Sequence, residues 1–220
     1  MSVASRVTGF RDSIPREVKM VAVSKFHANE TILQAYGAGQ RLFGESRVQE
    51  LVVKQKELPG DIEWHFVGGL QRNKVKQIAP FISLIHSLDS DRLAREIEKQ
   101  GAANNRVIPC LLQVHIARED TKSGFTPDEC RQFLAGGSWK EYAHVQLAGV
   151  MGMATYTDDT GQVRDEFRQL KSLFDELKAG YFPDTPAFKE ISMGMSGDYA
   201  IAIEEGSTMV RLGTVLFGER

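Results

Sequence analysis

From Lys19 onward, short apolar segments rich in β-branched residues recur along the chain, and the stretches between them carry apolar residues three and four positions apart. The first pattern predicts strands buried on both faces, the second amphipathic helices. Eight candidate strands follow: KMVAVS (19–24), RLFGE (41–45), EWHFVG (63–68), LIHSLD (84–89), IPCLLQVHI (108–116), LAGVMGM (147–153), KEISMGM (189–195) and MVRLGTVLF (209–217). Among the helices, Val163, Phe167, Leu170, Phe174 and Leu177 draw one apolar stripe that is expected to stop before Gly180. Thr126-Pro127-Asp128-Glu129 reads as a helix start, with Thr126 as cap, Pro127 where its missing N–H is harmless and Glu129 closing a capping box. Asn29 is the expected cap of the helix that carries Ile32, Leu33 and Tyr36.

Strands alternating with helices admit a closed (β/α)8 barrel or an open doubly wound sheet, and eight βα units favour closure. GxGxxG, Walker A and HExxH patterns are all absent from the sequence, which removes the commonest nucleotide-binding and zinc-protease readings. Val3, Val7, Phe10 and Ile14 predict one more helix before the first strand, packed across an end of the barrel. At 220 residues, with no repeat or low-complexity tract, residues 1–220 are expected to form a single domain.

Charge and cysteine content narrow the partners. Twenty-seven basic against 29 acidic residues give a net charge of -2, without the basic stripe that nucleic-acid binding requires. Cys110 and Cys130 form no CxxC pair and supply too few ligands for structural zinc. No metal is expected. The amino terminus lacks the layout of a signal peptide and no apolar run reaches the ~20 residues of a membrane span, so the expectation is a soluble, cytoplasmic protein.

In a barrel, chemistry sits at the carboxyl ends of the strands. That rule selects Lys25, which follows Met20-Val21-Ala22-Val23. A walled-in stem lowers a lysine pKa and frees the amine to attack an aldehyde, although lysines at strand ends also simply snorkel to solvent. Ser192, Gly194, Ser196 and Gly197 in ISMGMSGDYA offer hydroxyls and closely approaching N–H groups ahead of a short helix, a seat for phosphate. Arg211, within the last predicted strand, needs an anion or another acceptor there.

Together these segments resemble the pyridoxal 5′-phosphate (PLP) homeostasis proteins of the YggS/PROSC type, relatives of the barrel domain of bacterial alanine racemase. The resemblance is carried by AVSK (22–25), FGESRVQE (43–50), WHFVGGLQRNK (64–74), KSGF (122–125), LAGVMGM (147–153), ISMGMSGD (191–198) and MVRLGTVLFG (209–218). It implies a TIM barrel of the alanine racemase N-terminal type. It further implies a Schiff base between PLP and Lys25, phosphate held by Ser192, Ser196, Gly213 and Thr214, and Arg211 facing the pyridine nitrogen. Ser46 stands where the family more often has asparagine beside the cofactor. His65 and Asn73 belong to the shared pattern, His65 reading more readily as a hydrogen-bonded core residue than as a catalyst.

A racemase needs two positioned bases, and alanine racemase takes its second, a tyrosine, from a further β domain. The sequence stops just after the eighth predicted strand, so a barrel without that domain is expected. The resemblance implies a binding and regulatory role: holding PLP, supplying it to apo PLP enzymes, and acting as a monomer with no catalytic residues. Two alternatives are a low-activity racemase using Lys25 with Tyr156 or His115, and a cofactor-free Schiff-base aldolase.

Overall fold

The computed structural model of the chain describes residues 1–118 and 124–218. Among these, eight parallel strands close into a barrel in sequence order: β1 (Lys19–Val23), β2 (Leu42–Glu45), β3 (Glu63–Phe66), β4 (Leu84–Leu88), β5 (Ile108–Gln113), β6 (Val145–Met151), β7 (Glu190–Ser192) and β8 (Met209–Leu212). The ring is completed where β8 pairs with β1, Val21 opposite Arg211. This is the (β/α)8 barrel that the eight repeated units predict.

Helices α1 (Val3–Ser13), α2 (Asn29–Gly37), α3 (Val48–Glu57), α4 (Val75–Ile78), α5 (Asp91–Ala103), α6 (Pro127–Gly136), α7 (Thr160–Tyr181), α8 (Tyr199–Glu204) and α9 (Thr214–Phe217) complete the chain order. Their apolar faces and the outward strand residues form the larger core, with Phe43, Phe66, Phe167 and Phe188 fully buried. Each such ring contributes roughly 1.5–3 kcal/mol by leaving water. A smaller cluster of Val21, Leu84, Leu111, Ala148, Met151 and Met209 fills the barrel itself.

The alternation of a strand decides which residues reach the mouth. Val21 packs inside the barrel and Val23 and Lys25 line the cleft above it, two residues apart each time. Gly213 follows Arg211 in the same way at the end of β8.

Local signals held where they were self-contained. Thr126 caps α6 with the full reciprocal capping box, and the stripe from Val163 to Leu177 is buried along α7. Helix α7 nevertheless runs through Gly180 to Tyr181, since a glycine at the next-to-last position keeps its backbone N–H and removes no hydrogen bond. Ala28, whose backbone is extended, caps α2 in place of Asn29. Asn29 is already helical, and its amide donates to Glu57 Oε2 at 2.7 Å.

The segment 209–217 is not one strand. Gly213, at φ -119° and ψ -83°, leaves the extended region, so β8 ends at Leu212 and α9 starts at Thr214. Nor does α1 cross an end of the barrel. Arg6 Nε donates to Leu216 O at 2.6 Å, Phe10 meets the Tyr199 ring edge-on at 5.7 Å, and Arg11 donates to Ala38 O at 2.7 Å. Because α9 spans a single turn, α1 occupies the place in the outer ring between α8 and α2 that a longer last helix would fill.

Candidate functional site

A cleft of about 670 Å³ opens at the carboxyl ends of the strands, within the size range of small-molecule sites. Lys25, Ser46, Ser196, Arg211, Gly213 and Thr214 all line it. Ser192 does not: it sits on β7, fully buried, with its hydroxyl engaged deeper in the barrel. Of the resemblance segments, Lys122 and Ser123 of KSGF lie outside the described residues.

Lys25 is partly buried and is followed by Phe26, a non-glycine residue at φ 67°. Such a left-handed conformation is costly for a side chain with a Cβ. Helix α3 holds it in place. Phe26 N–H donates to Glu50 Oε1 at 2.6 Å, and Lys54 Nζ donates to Glu50 Oε1 at 2.6 Å, to Ser24 O at 2.8 Å and to Glu45 Oε1 at 2.8 Å. The turn carrying Lys25 is therefore pinned on the residue before and the residue after it. Burial pushes the Glu45 carboxyl above its usual range, opposed by Lys54 and by the Ser24 hydroxyl at 2.6 Å.

Beside the end of β1, the loops after β7 and β8 meet. Gly213 N–H donates to Ser196 Oγ at 3.2 Å, and Thr214 opens α9 beside them. Gly194, at φ 93°, turns the chain out of β7, and its carbonyl accepts Arg211 N–H at 2.9 Å. Asp198 closes this loop by accepting Met195 N–H, and burial raises its carboxyl above the ordinary value.

Arg211 forms part of the floor. It is 5% exposed; Nη1 donates to Ser192 O at 2.8 Å and to Ser192 Oγ at 2.6 Å, and Nη2 donates to Gly152 O at 3.1 Å. Burial lowers its pKa to about 10, which leaves it a cation at neutral pH. The acceptor required for an arginine in an apolar strand is thus supplied by β7 and the end of β6.

Just past the carboxyl end of β3, Gly68 cannot carry a side chain, because a Cβ there would lie 2.4 Å from Ser46 O. That close approach brings Ser46 to the cleft wall.

A family profile described as "Alanine racemase, N-terminal domain" matches residues 2–220. The chain is 42% identical over 203 residues to the pyridoxal phosphate homeostasis protein of Aquifex aeolicus, covering 92% of this chain and 87% of that one. The chain belongs to the pyridoxal phosphate homeostasis protein family. Identity to the Pasteurella multocida protein of the same name is 41%, with the same coverage. The solved structure of PipY from Synechococcus elongatus with PLP bound superposes with a TM-score of 0.89 at 35% identity, covering 99% of this chain and all of that one. Clostridium difficile alanine racemase shares the fold at a TM-score of 0.78 and 15% identity, with 56% of its length covered.

The two alternatives for a second base are placed differently. Tyr156 stands at the rim of the cleft, 99% exposed. His115 is outside the lining, and His65 belongs to a second cleft at the amino-terminal end of the strands. Asn73 lies in a short helical turn, Arg72–Lys74, outside the lining of both of these clefts. His27, Asp198 and Met153, which sequence reasoning passed over, do line the site. Among the described residues no cluster of three His, Cys, Asp or Glu residues is arranged to hold a metal, and no helix is long and apolar enough to cross a membrane.

Proposed function

We propose that this chain binds PLP in the cleft at the barrel mouth and acts in PLP homeostasis, as its relatives are named for, with Lys25 bonded to the cofactor aldehyde as a Schiff base. The observation that carries the reading is the convergence of Lys25, Arg211 and the Ser196–Gly213 pair on one cleft. The donor set suits the cofactor: an amine on one wall, hydroxyls and backbone N–H groups of Ser196, Gly213 and Thr214 for phosphate on another, and a guanidinium in the floor. Ser46 adds a hydroxyl to the wall beside Lys25.

When bound, PLP supplies an electron sink whose strength depends on protonation of its ring nitrogen. Arg211 would face that nitrogen as a donor with no proton to give up, which favours storage over carbanion chemistry. A racemase needs a positioned base on each face of its substrate. The exposure of Tyr156 and the placement of His115 outside the lining support a carrier. The protein would act in the cytoplasm, as a monomer, releasing PLP to apo PLP enzymes.

The test begins with the purified protein and one equivalent of PLP. An absorbance band near roughly 420 nm, made permanent by borohydride and lost in Lys25→Ala, is the expected result; a protein that cannot be coloured overturns the reading. Faster activation of an apo PLP enzyme by the loaded protein than by the same concentration of free PLP is expected of a carrier. Sustained α-proton exchange with single amino-acid enantiomers would instead make it an enzyme.

A further inference from the structure

A line of buried polar groups runs down the axis of the barrel from Arg211. Arg211 Nη1 donates to Ser192 Oγ at 2.6 Å, Ser192 Oγ lies 3.0 Å from His86 Nδ1, and His86 Nε2 lies 3.0 Å from His65 Nδ1. The remaining ring nitrogen of His65 faces the cleft at the amino-terminal end, which Lys19, Glu63 and Glu190 also line. Ser192, His86 and His65 are 0%, 0% and 4% exposed. The line thus joins the floor of the PLP cleft to the opposite end of the barrel.

Its direction follows from one fixed fact. A guanidinium only donates, so Ser192 Oγ must accept from Arg211. The serine's own O–H then requires an acceptor, and the one within reach is His86 Nδ1. If His86 Nδ1 carried the hydrogen instead, two donors would converge on Ser192 and its O–H would be left buried without a partner, a costly arrangement. With Nδ1 accepting, neutral His86 carries its hydrogen on Nε2 and donates it to His65 Nδ1. His65 in turn carries its hydrogen on Nε2, toward the cleft. The cation at Arg211 therefore sets both tautomers. Burial agrees with neutral rings: His86 is held well below its usual range by burial, by His65 and by the charge of Arg211, and burial with the charge of Lys19 lowers His65 to about 3.

We infer that His86, acting through Ser192, is a positioning residue for Arg211, and that His65 fixes His86 in the tautomer this requires. Ser192 is the sole side chain that Arg211 bonds among the described residues; its other acceptors are the carbonyls of Ser192 and Gly152. A hydroxyl free to rotate would turn its hydrogen toward the guanidinium in part of its range. His86 prevents this by holding that hydrogen on the far side. The inference rests on the PLP reading only for its effect on the cofactor, since the tautomers themselves are a property of the protein alone.

The experiment has two arms. Protein labelled with 15N-histidine and free of PLP, examined by long-range 1H–15N correlation, is expected to show His65 and His86 as neutral Nε2–H tautomers from pH 5 to 8. An Nδ1–H signal from either ring, or protonation of His86 within that range, overturns the inference whatever happens with PLP. In the second arm, His86→Gln presents an amide oxygen to Ser192 and an N–H to His65, whereas His86→Leu presents neither. With PLP added, His86→Gln is expected to keep the wild-type absorbance maximum and affinity. His86→Leu is expected to shift the band and weaken PLP binding about tenfold, and Ser192→Ala, the smaller change, serves if the leucine variant does not fold. Identical spectra and affinities for folded His86→Leu or Ser192→Ala and wild type would overturn the coupling. Failure of every protein, wild type included, to bind PLP would reject the cofactor reading and leave the tautomer result to decide this one.

Discussion

Gly213 gives its backbone N–H to the hydroxyl of Ser196 across 3.2 Å, so the loops that follow the last two strands are tied together at the point where phosphate would sit. The tie orients the Ser196 oxygen and holds the start of α9 against the loop ahead of α8. Neither segment alone is long enough to make a binding site.

Replacing Ser196 by Ala should therefore weaken PLP binding more than replacing Thr214 by Val. The first change removes a phosphate donor and the acceptor of Gly213 together; the second removes one hydroxyl. A charge-assisted hydrogen bond is worth roughly 1.5–3 kcal/mol, or about a 10- to 100-fold rise in Kd. Spectroscopic titration with PLP measures it, and equal losses in the two variants would argue against the tie.

Lys54 should be a stability residue as well as a brace for Lys25. It is buried against Glu45 and Glu50 with side-chain exposures of 6% and 0% in the Lys54–Glu45 pair. Removing one member of such a pair costs about 3–5 kcal/mol, so Lys54→Met is expected to lower the urea midpoint sharply. Glu50→Gln should cost less in stability yet slow borohydride trapping of PLP on Lys25, because it loosens the Phe26 turn. A trapping rate unchanged in Glu50→Gln would separate the brace from the site.

Two buried groups predict opposite pH slopes. His65 has its pKa lowered to about 3, so between that value and the usual value of about 6.5 only the unfolded chain takes up its proton. Stability then rises with pH across this window, by up to about 1.4 kcal/mol per unit from this residue. Glu45 is raised by burial. Above its unfolded value of about 4.3 the folded state keeps the proton longer, so its contribution is full below that pH and is lost as pH climbs through the folded value. Urea unfolding across pH 4 to 7 should show a shallower acid loss in His65→Gln and a steeper net rise with pH in Glu45→Gln. Parallel curves for all three proteins would contradict both assignments.

Arg211→Glu should move the absorbance band of the PLP-loaded protein. A carboxylate in that place stabilises a protonated ring nitrogen, which the guanidinium does not. If the substituted protein folds and its spectrum and PLP affinity match wild type, Arg211 does not face the ring and its place in the floor is structural alone.

What the sequence made legible were features settled within a few residues. The eight strands, the Thr126 capping box and the α7 stripe follow from local spacing, and Lys25 follows from the alternation of one strand. The partners of Arg211 could not be read, because Ser192 and Gly152 reach it from neighbouring strands whose register only closure defines. Ser192 is expected at the phosphate with Ser196 from the hydroxyls of ISMGMSGDYA and from the resemblance, yet its side chain lies within β7 while that of Ser196, four positions on, lies in the loop above it. His86 stood unnoticed in an apolar run. A histidine two residues after inward-facing Leu84 was the available signal. The placement of α1 depended on the shortness of α9, which the strand-like apolar sequence of Thr214–Phe217 concealed.

The pairing of Val21 with Arg211 bears on when the protein becomes competent to bind. Lys25 follows the first strand, and Arg211, Gly213 and Thr214 come from the end of the last, so the cleft lies over the seam of the barrel. A ligand spanning the seam binds the closed ring and not its precursors, and adds its binding free energy to the stability of the whole fold. A ligand held by both sides of the seam would act as a clasp between the two strands that are farthest apart in sequence.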